Sequence, residues 1–375
     1  MKNKVKYSLI LFCLALMLWN CSGDEKETIE LEATQSDTLF LTYNSRIVKL
    51  ETTPESLLGY IMKVVIDLPS KRIFVLSNFN IFIFDTNGMY LNKLKVGKGP
   101  NEINSIMAFT INFEKKLIFA IDNAIKLCLF NYDGNMINKY DITNFASTDI
   151  CILDDDNVFL ARNFVGAEEK YFVGMFNLPS GEVIKKFIPA NKSPYPRNTI
   201  ATAKNFSNNN GHLYFYSTNI FGLFEYEGSN FHQILSLNIG KLAVPPRVSS
   251  KFEESRQCDL RDEAKSLHYA PFMLYGFKFK GNYLIGIDDK DINCYAINST
   301  SKKVFHNGTL SSYFNLPDKK SLKLITGVQN DLIIFNCNPS DFFDSKTQGE
   351  TKEIQIHTHK IKINRNDNPF LMIIE

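Results

Sequence analysis

The chain has 375 residues, with 42 Lys and Arg against 40 Asp and Glu, and a formal net charge of +2. A near-neutral chain without a basic block lacks the phosphate-neutralising surface that nucleic-acid binding needs, so no nucleic-acid partner is expected. Phe (31) and Tyr (16) are abundant and suit strands, and the length allows one large all-β domain.

The N-terminus has three parts. Lys2, Lys4 and Lys6 form a basic segment, Leu9 to Trp19 is an uncharged apolar run, and Cys21 precedes the polar stretch Ser22-Gly23-Asp24-Glu25-Lys26-Glu27. This order is that of a signal peptide over residues 1–20. The apolar run falls short of the roughly 20 residues a spanning helix needs. Cys21 resembles the cysteine of a bacterial lipobox. Leu18 suits that pattern, whereas Trp19 and Asn20 are bulkier than its usual small residues. The acidic stretch after Cys21 resembles a Bacteroidetes surface-export signal. The resemblance implies lipidation at Cys21, a linker over 21–36, and an outer-membrane lipoprotein on the periplasmic side or the cell surface, with the membrane reached through the lipid. The alternative is an ordinary secretory peptide with a coincidental Cys. Cleavage removes three Lys and no acids, leaving 39 basic against 40 acidic residues.

Residues 37–375 carry a repeat. Residues 71–90 read KRIFVLSNFNIFIFDTNGMY and 115–136 read KKLIFAIDNAIKLCLFNYDGNM, each a short apolar strand, a polar turn, a second apolar strand and a turn with Gly. Aligned on the first apolar position, Ile73 pairs with Leu117. Weaker copies begin at Val158, Leu213, Tyr283 and Leu332, the last pairing Asn330–Phe335 with Glu353–His357. With flanking strands such as Tyr60 to Asp67, each unit has four strands. Such a unit exposes two apolar faces that only neighbouring units can cover. The expected fold is an all-β, six-bladed β-propeller of four-stranded antiparallel blades. One end of the chain, Arg46 to Glu51 or Pro369 to Ile374, would complete a blade with the other end and remove open edges. Residues 249–267, SSKFEESRQCDLRDEAKSL, lack Pro and Gly, and Ser249 or Ser250 can cap a helix. A helical insertion (about 238–269) is therefore expected between the fourth and fifth blades.

Two passages carry a family resemblance. Asn80-Ile81-Phe82-Ile83-Phe84-Asp85-Thr86-Asn87-Gly88 leads to Gly97-Lys98-Gly99-Pro100-Asn101-Glu102, and the chain ends Asn368-Pro369-Phe370-Leu371-Met372-Ile373-Ile374. Both look like the 6-bladed β-propeller lipoproteins of Bacteroides and relatives. The resemblance implies fold and address, and no common activity.

The candidate site residues are scattered. In the 97–102 loop, two Gly and Lys98 can cradle an anion, or Glu102 can hold the loop's amides as a rigid connection. Arg162, Tyr195, Arg197 and His268 lie in segments between blades, and Asn191 to Arg197 is a Pro-rich loop with an aromatic and a cation. Asp154-Asp155-Asp156 and Asp288-Asp289-Lys290-Asp291 read as turns rather than calcium loops. His357 and His359 share one face of a strand without a third ligand nearby. No Cys cluster or GxSxG elbow is present, and no metal or cofactor is expected. The leading expectation is a lipid-anchored, non-enzymatic binding module for a glycan, peptide or protein. The alternative is a lyase or hydrolase at the channel mouth, acting on a polysaccharide or lactone.

Overall fold

The computed structural model describes residues 28–31, 43–97, 99, 102–162, 170–190, 204–218, 220–245, 248, 264, 266–270, 272–288, 292–344 and 350–375. Two short strands come first, Thr28–Glu30 (β1) and Ser45–Lys49 (β2). Three meanders follow. They are Ile61–Asp67, Arg72–Ser77, Asn80–Asp85 and Tyr90–Lys93 (β3–β6); Ile106–Asn112, Leu117–Asp122, Lys126–Asn131 and Met136–Asp141 (β7–β10); and Asp149–Ile152, Asn157–Ala161, Tyr171–Asn177 and Glu182–Pro189 (β11–β14). Next come Phe206–Asn209, His212–Ser217, Ile220–Glu227 and Asn230–Asn238 (β15–β18), then Phe272–Phe279, Asn282–Asp288, Ile292–Asn298 and Val304–Gly308 (β19–β22). The chain ends with Ile325–Gln329 (β23), Leu332–Cys337 (β24), the hairpin Thr351–Ile356 and His359–Asn364 (β25, β26), and Phe370–Ile374 (β27).

The burial pattern explains the sequence pattern. The second and third strands of a unit pack on both faces, so β4 (RIFVLS) and β5 (NIFIFD) are almost continuously buried. Continuous apolar runs of this length mark strands covered on both sides. The fourth strands, β6 and β10, lie at the rim and are polar. Aromatic rings fill the layers between sheets. Phe159 of β12 meets Phe187, Phe206, Tyr226 and Phe231 at centroid distances of 5.7, 6.3, 4.8 and 5.2 Å.

The fold is an all-β propeller with four discrete four-stranded blades, β3–β6, β7–β10, β11–β14 and β19–β22. The expected six separate blades are not what forms. A single parallel bridge, Asn208 to Gln329, joins β15–β18 to the group β23–β24–β27–β2. With β1 paired in parallel along β18, these strands make one nine-stranded sheet, and β25–β26 stands apart as a hairpin. The sequence reading paired β24 with the 353–357 run. The structure pairs β24 with β27, because all of Phe370–Ile374 is buried whereas β25 keeps only Ile354 and Ile356 inside. The repeat register also needs correction. The left-handed turn residues Asn78 and Phe79 (φ 48° and 60°) recur as Asn123 and Ala124 (φ 50° and 64°), so Ile73 matches Ile118 rather than Leu117. A one-residue slip of this kind exchanges the two faces of a strand. The expected helical insertion falls mostly outside the described residues.

The chain ends close the ring. β2 pairs antiparallel with β27, from Ser45↔Ile374 to Lys49↔Phe370. Asn368, 3 % exposed, anchors this seam. Its Oδ1 accepts from Leu58 N (2.8 Å), and its Nδ2 donates to Glu51 O (2.6 Å) and Ser56 O (2.8 Å). Glu51 O also accepts from Ser56 Oγ at 2.8 Å, so Asn368→Ala strands two buried backbone groups, Leu58 N and Ser56 O. At about 1 kcal/mol each, urea unfolding should show a loss of about 2 kcal/mol. A loss under about 0.5 kcal/mol, the range of an ordinary surface change, would show that the seam does not depend on this amide.

Candidate functional site: the central cavity

The first strands β3, β7, β11, β15, β19 and β23 surround a cavity of about 550 Å³. This size suits a small-molecule ligand. At one end its wall carries Lys63 and Lys204, and at the other Glu114, Asp154 and Asp155.

Asp149, the first residue of β11, organises the inner end. It is fully buried, and its Oδ1 accepts from Lys63 Nζ at 2.9 Å. Its Oδ2 accepts from the backbone N–H groups of Asn205 (2.6 Å) and Phe206 (3.0 Å). A buried carboxylate with a cation and two amides is fully compensated, and it ties β3, β11 and β15 together. Asn205 Nδ2 then donates to Tyr216 O (3.0 Å), and Tyr216 Oη donates to Leu274 O (2.6 Å), carrying the connection to β19.

Lys204 lines the cavity and donates to Ile325 O of the neighbouring strand β23. Burial and the neighbouring Lys63 ammonium lower its amine to about 8, and Asp149 partly offsets the shift. Cys151 lines the same wall, and burial pushes its thiol up to about 12, so it is not a thiolate nucleophile at neutral pH. Cys128, Cys294 and Cys337 are likewise free, buried and raised by burial.

The sequence-selected residues lie elsewhere. Glu102 turns back on its own loop and accepts from Gly99 N at 2.7 Å. A Cβ on Gly97 would sit 2.1 Å from Glu102 Oε2, so the carboxylate is packed directly onto that glycine. Arg162 is 4 % exposed, with its guanidinium 3.6 Å from the Phe145 ring centroid. His268 is exposed, in a left-handed conformation (φ 63°). None of these three lines the cavity. Lys98, Tyr195, Arg197 and Cys21 lie outside the described residues. His357 belongs to the β25–β26 turn rather than to a strand. Its Nδ1 and the Nε2 of His359 both lie 3.1 Å from Ser45 Oγ, and His359 Nε2 is 2.8 Å from Ser45 O, so the pair clips the hairpin to β2. Asp154 Oδ1 accepts from Asp156 N (2.9 Å) and Asn157 N (2.8 Å), which makes that run a turn. Among the described residues no group of three or more His, Cys, Asp or Glu is arranged to hold a metal ion.

The residues missed were Lys63, Asp149 and Lys204. Their signal was a charge inside, or at the start of, an otherwise apolar innermost strand, as in IMKVVID and DICI.

A family model described as a domain of unknown function, DUF4934, matches residues 27–375. No curated protein matches the chain. The chain is similar in structure to a Bacteroides fragilis protein described as exported, with TM-score 0.69 and 11 % identity over 93 % of this chain and 98 % of that one. That likeness concerns the fold. The extracellular domain of a one-component system from B. thetaiotaomicron also matches, at TM-score 0.42 and 14 % identity, over 70 % of this chain and 29 % of that one.

The titration of Lys204 is measurable. Its folded value of about 8 lies below the unfolded value of about 10.4. Between the two, the unfolded chain binds a proton that the folded chain has lost, so the residue's contribution to stability rises with pH over that window. Urea unfolding of the wild type and Lys204→Met from about pH 7 to about pH 10 should show their difference moving in favour of the wild type. A difference independent of pH would contradict the assignment.

Proposed function

The chain belongs to the DUF4934 family, and from that premise we propose that it is an exported, lipid-anchored, non-enzymatic binding module whose ligand, a glycan or peptide, enters the central cavity. The observation that carries the reading is the cavity of about 550 Å³, walled by rigid strands and carrying buried charge at one end only. The N-terminal signal pattern and Cys21 support export and anchoring, as does the description of the Bacteroides fragilis protein of similar fold as exported. A single acyl chain holds a protein weakly, so Cys21 would carry more than one.

The lyase alternative has one observation in its favour. An amine lowered to about 8 beside a second ammonium is the pairing that proton abstraction next to a neutralised carboxylate requires. Turnover of an acidic polysaccharide to an unsaturated product, lost in Lys204→Met, would select it.

Two measurements test the main reading. Metabolic labelling with a palmitate analogue should label the wild type and not Cys21→Ala, and labelling of neither would remove the anchor. Asn208 lines the cavity, and its side chain is exposed there. Asn208→Trp should therefore abolish the binding found in a glycan and peptide screen while leaving the unfolding midpoint within a few degrees. Binding that survives the block would place the ligand elsewhere.

A further inference from the structure

The charges at the inner end of the cavity are unequal. Lys63 is neutralised by Asp149 at 2.9 Å, and both oxygens of that carboxylate are already engaged. Lys204 lines the same space and, among the described residues, makes one hydrogen bond, to the neutral carbonyl of Ile325. An ammonium has three donors, so two remain for the cavity. Among the described residues no carboxylate lies within ion-pair distance of Lys204. An ammonium held in a protein wall with a carboxylate, Asp149, only beyond ion-pair distance is costly, and an anion in the adjacent cavity reduces that cost.

The far end limits what the anion can be. Glu114, Asp154 and Asp155 form the rim, with Asp155 68 % exposed and 2.8 Å from Lys115 Nζ. Asp155 is paired with Lys115 and Asp154 is engaged in its own turn, which leaves Glu114 to disfavour a second negative charge and all three to offer remaining lone pairs to hydroxyl groups. The amides of Asn112, Asn208 and Asn330 on the wall can serve hydroxyl groups as donors or acceptors. The space therefore suits a molecule with one negative end and a neutral, hydroxyl-bearing body.

Resting on the cavity as the ligand site, we propose that it takes a sugar carboxylate, such as a uronate residue of an acidic glycan, with the carboxylate on Lys204 and the hydroxyls toward the acidic rim. Lys204 acts as the specificity residue, and the Asp149 tie keeps Lys63 from competing for the anion.

The test is titration calorimetry of the full chain with glucuronate, glucose and inorganic phosphate as probes. Glucuronate should bind, and glucose should bind at least about tenfold more weakly. Lys204→Met should weaken glucuronate by about tenfold or more, and Lys204→Arg, which keeps the charge, should lose less. Affinity should fall as pH rises through about 8, because the charged amine is the binding form. Lys63, Cys151, Tyr216 and Tyr275 face the same space, and the Asp149 carboxylate lies behind Lys63 at 2.9 Å. Glucose binding as tightly as glucuronate, or a Lys204→Met variant that binds normally, overturns the proposal. So does phosphate binding as tightly as glucuronate, or no glucuronate binding up to about 10 mM. Asn208→Trp separates the two levels. If it abolishes binding of a neutral ligand that Lys204→Met leaves intact, the cavity reading stands and the carboxylate falls. If it affects no ligand, the cavity reading falls first.

Discussion

One buried carboxylate ties the first strands of three units together beside the cavity. A propeller's first strands converge on an axis, where their spacing must be fixed. Asp149 contributes to this by drawing Lys63 from β3 and the amides of Asn205 and Phe206 at the start of β15 onto a single group. The distances between β3, β11 and β15 are set by hydrogen bonds rather than by packing of large side chains. Charged hydrogen bonds in a low-dielectric wall are geometrically exacting, so the cavity they border is preorganised. The same arrangement leaves Lys204, among the described residues, without a direct ion-pair partner.

The remainder of the ring has other fastenings. Gln329 substitutes for a strand partner, accepting from Ile66 N at 2.9 Å and donating to Ile66 O at 2.6 Å, and so joins β23 to β3. Tyr132 Oη donates to Asp67 at 2.7 Å, joining the first two blades. At the seam between the chain ends, backbone pairing of β2 with β27 is reinforced by Asn368 and by the two imidazoles around Ser45. Between the sheets the adhesive is apolar, with aromatic rings such as Phe159 bridging β12 to β18. Polar ties thus set spacing near the axis, and hydrophobic burial supplies the bulk of the stabilisation farther out.

Much of this was legible in the residues. Continuous apolar runs bounded by turns revealed the strands, and the repeat revealed a propeller. The blade count was not legible. It depends on which run pairs with β24, and Glu353–Ile356 and Phe370–Ile374 differ in burial rather than in strand propensity. The bridge from Asn208 to Gln329 is a single contact between strands distant in sequence and leaves no local pattern. The site failed for a related reason. Gly97 to Glu102 and Asn191 to Arg197 stood out because loops advertise unusual residues, and Glu102 spends its carboxylate on its own loop. Lys63, Asp149 and Lys204 are separated by 86 and 55 positions and become a cluster only when the first strands converge. A single charge within an apolar innermost strand is the sign that would have marked them.

The account stands on the coupling between Lys63 and Asp149. A double-mutant cycle with Lys63→Met and Asp149→Asn, followed by urea unfolding, measures it directly. The account predicts an interaction energy of about 2 kcal/mol, with Asp149→Asn the costlier single change because it also weakens the ties to β15. Additivity within about 0.5 kcal/mol would contradict it, and would mean that packing rather than this ion pair holds the first strands in place.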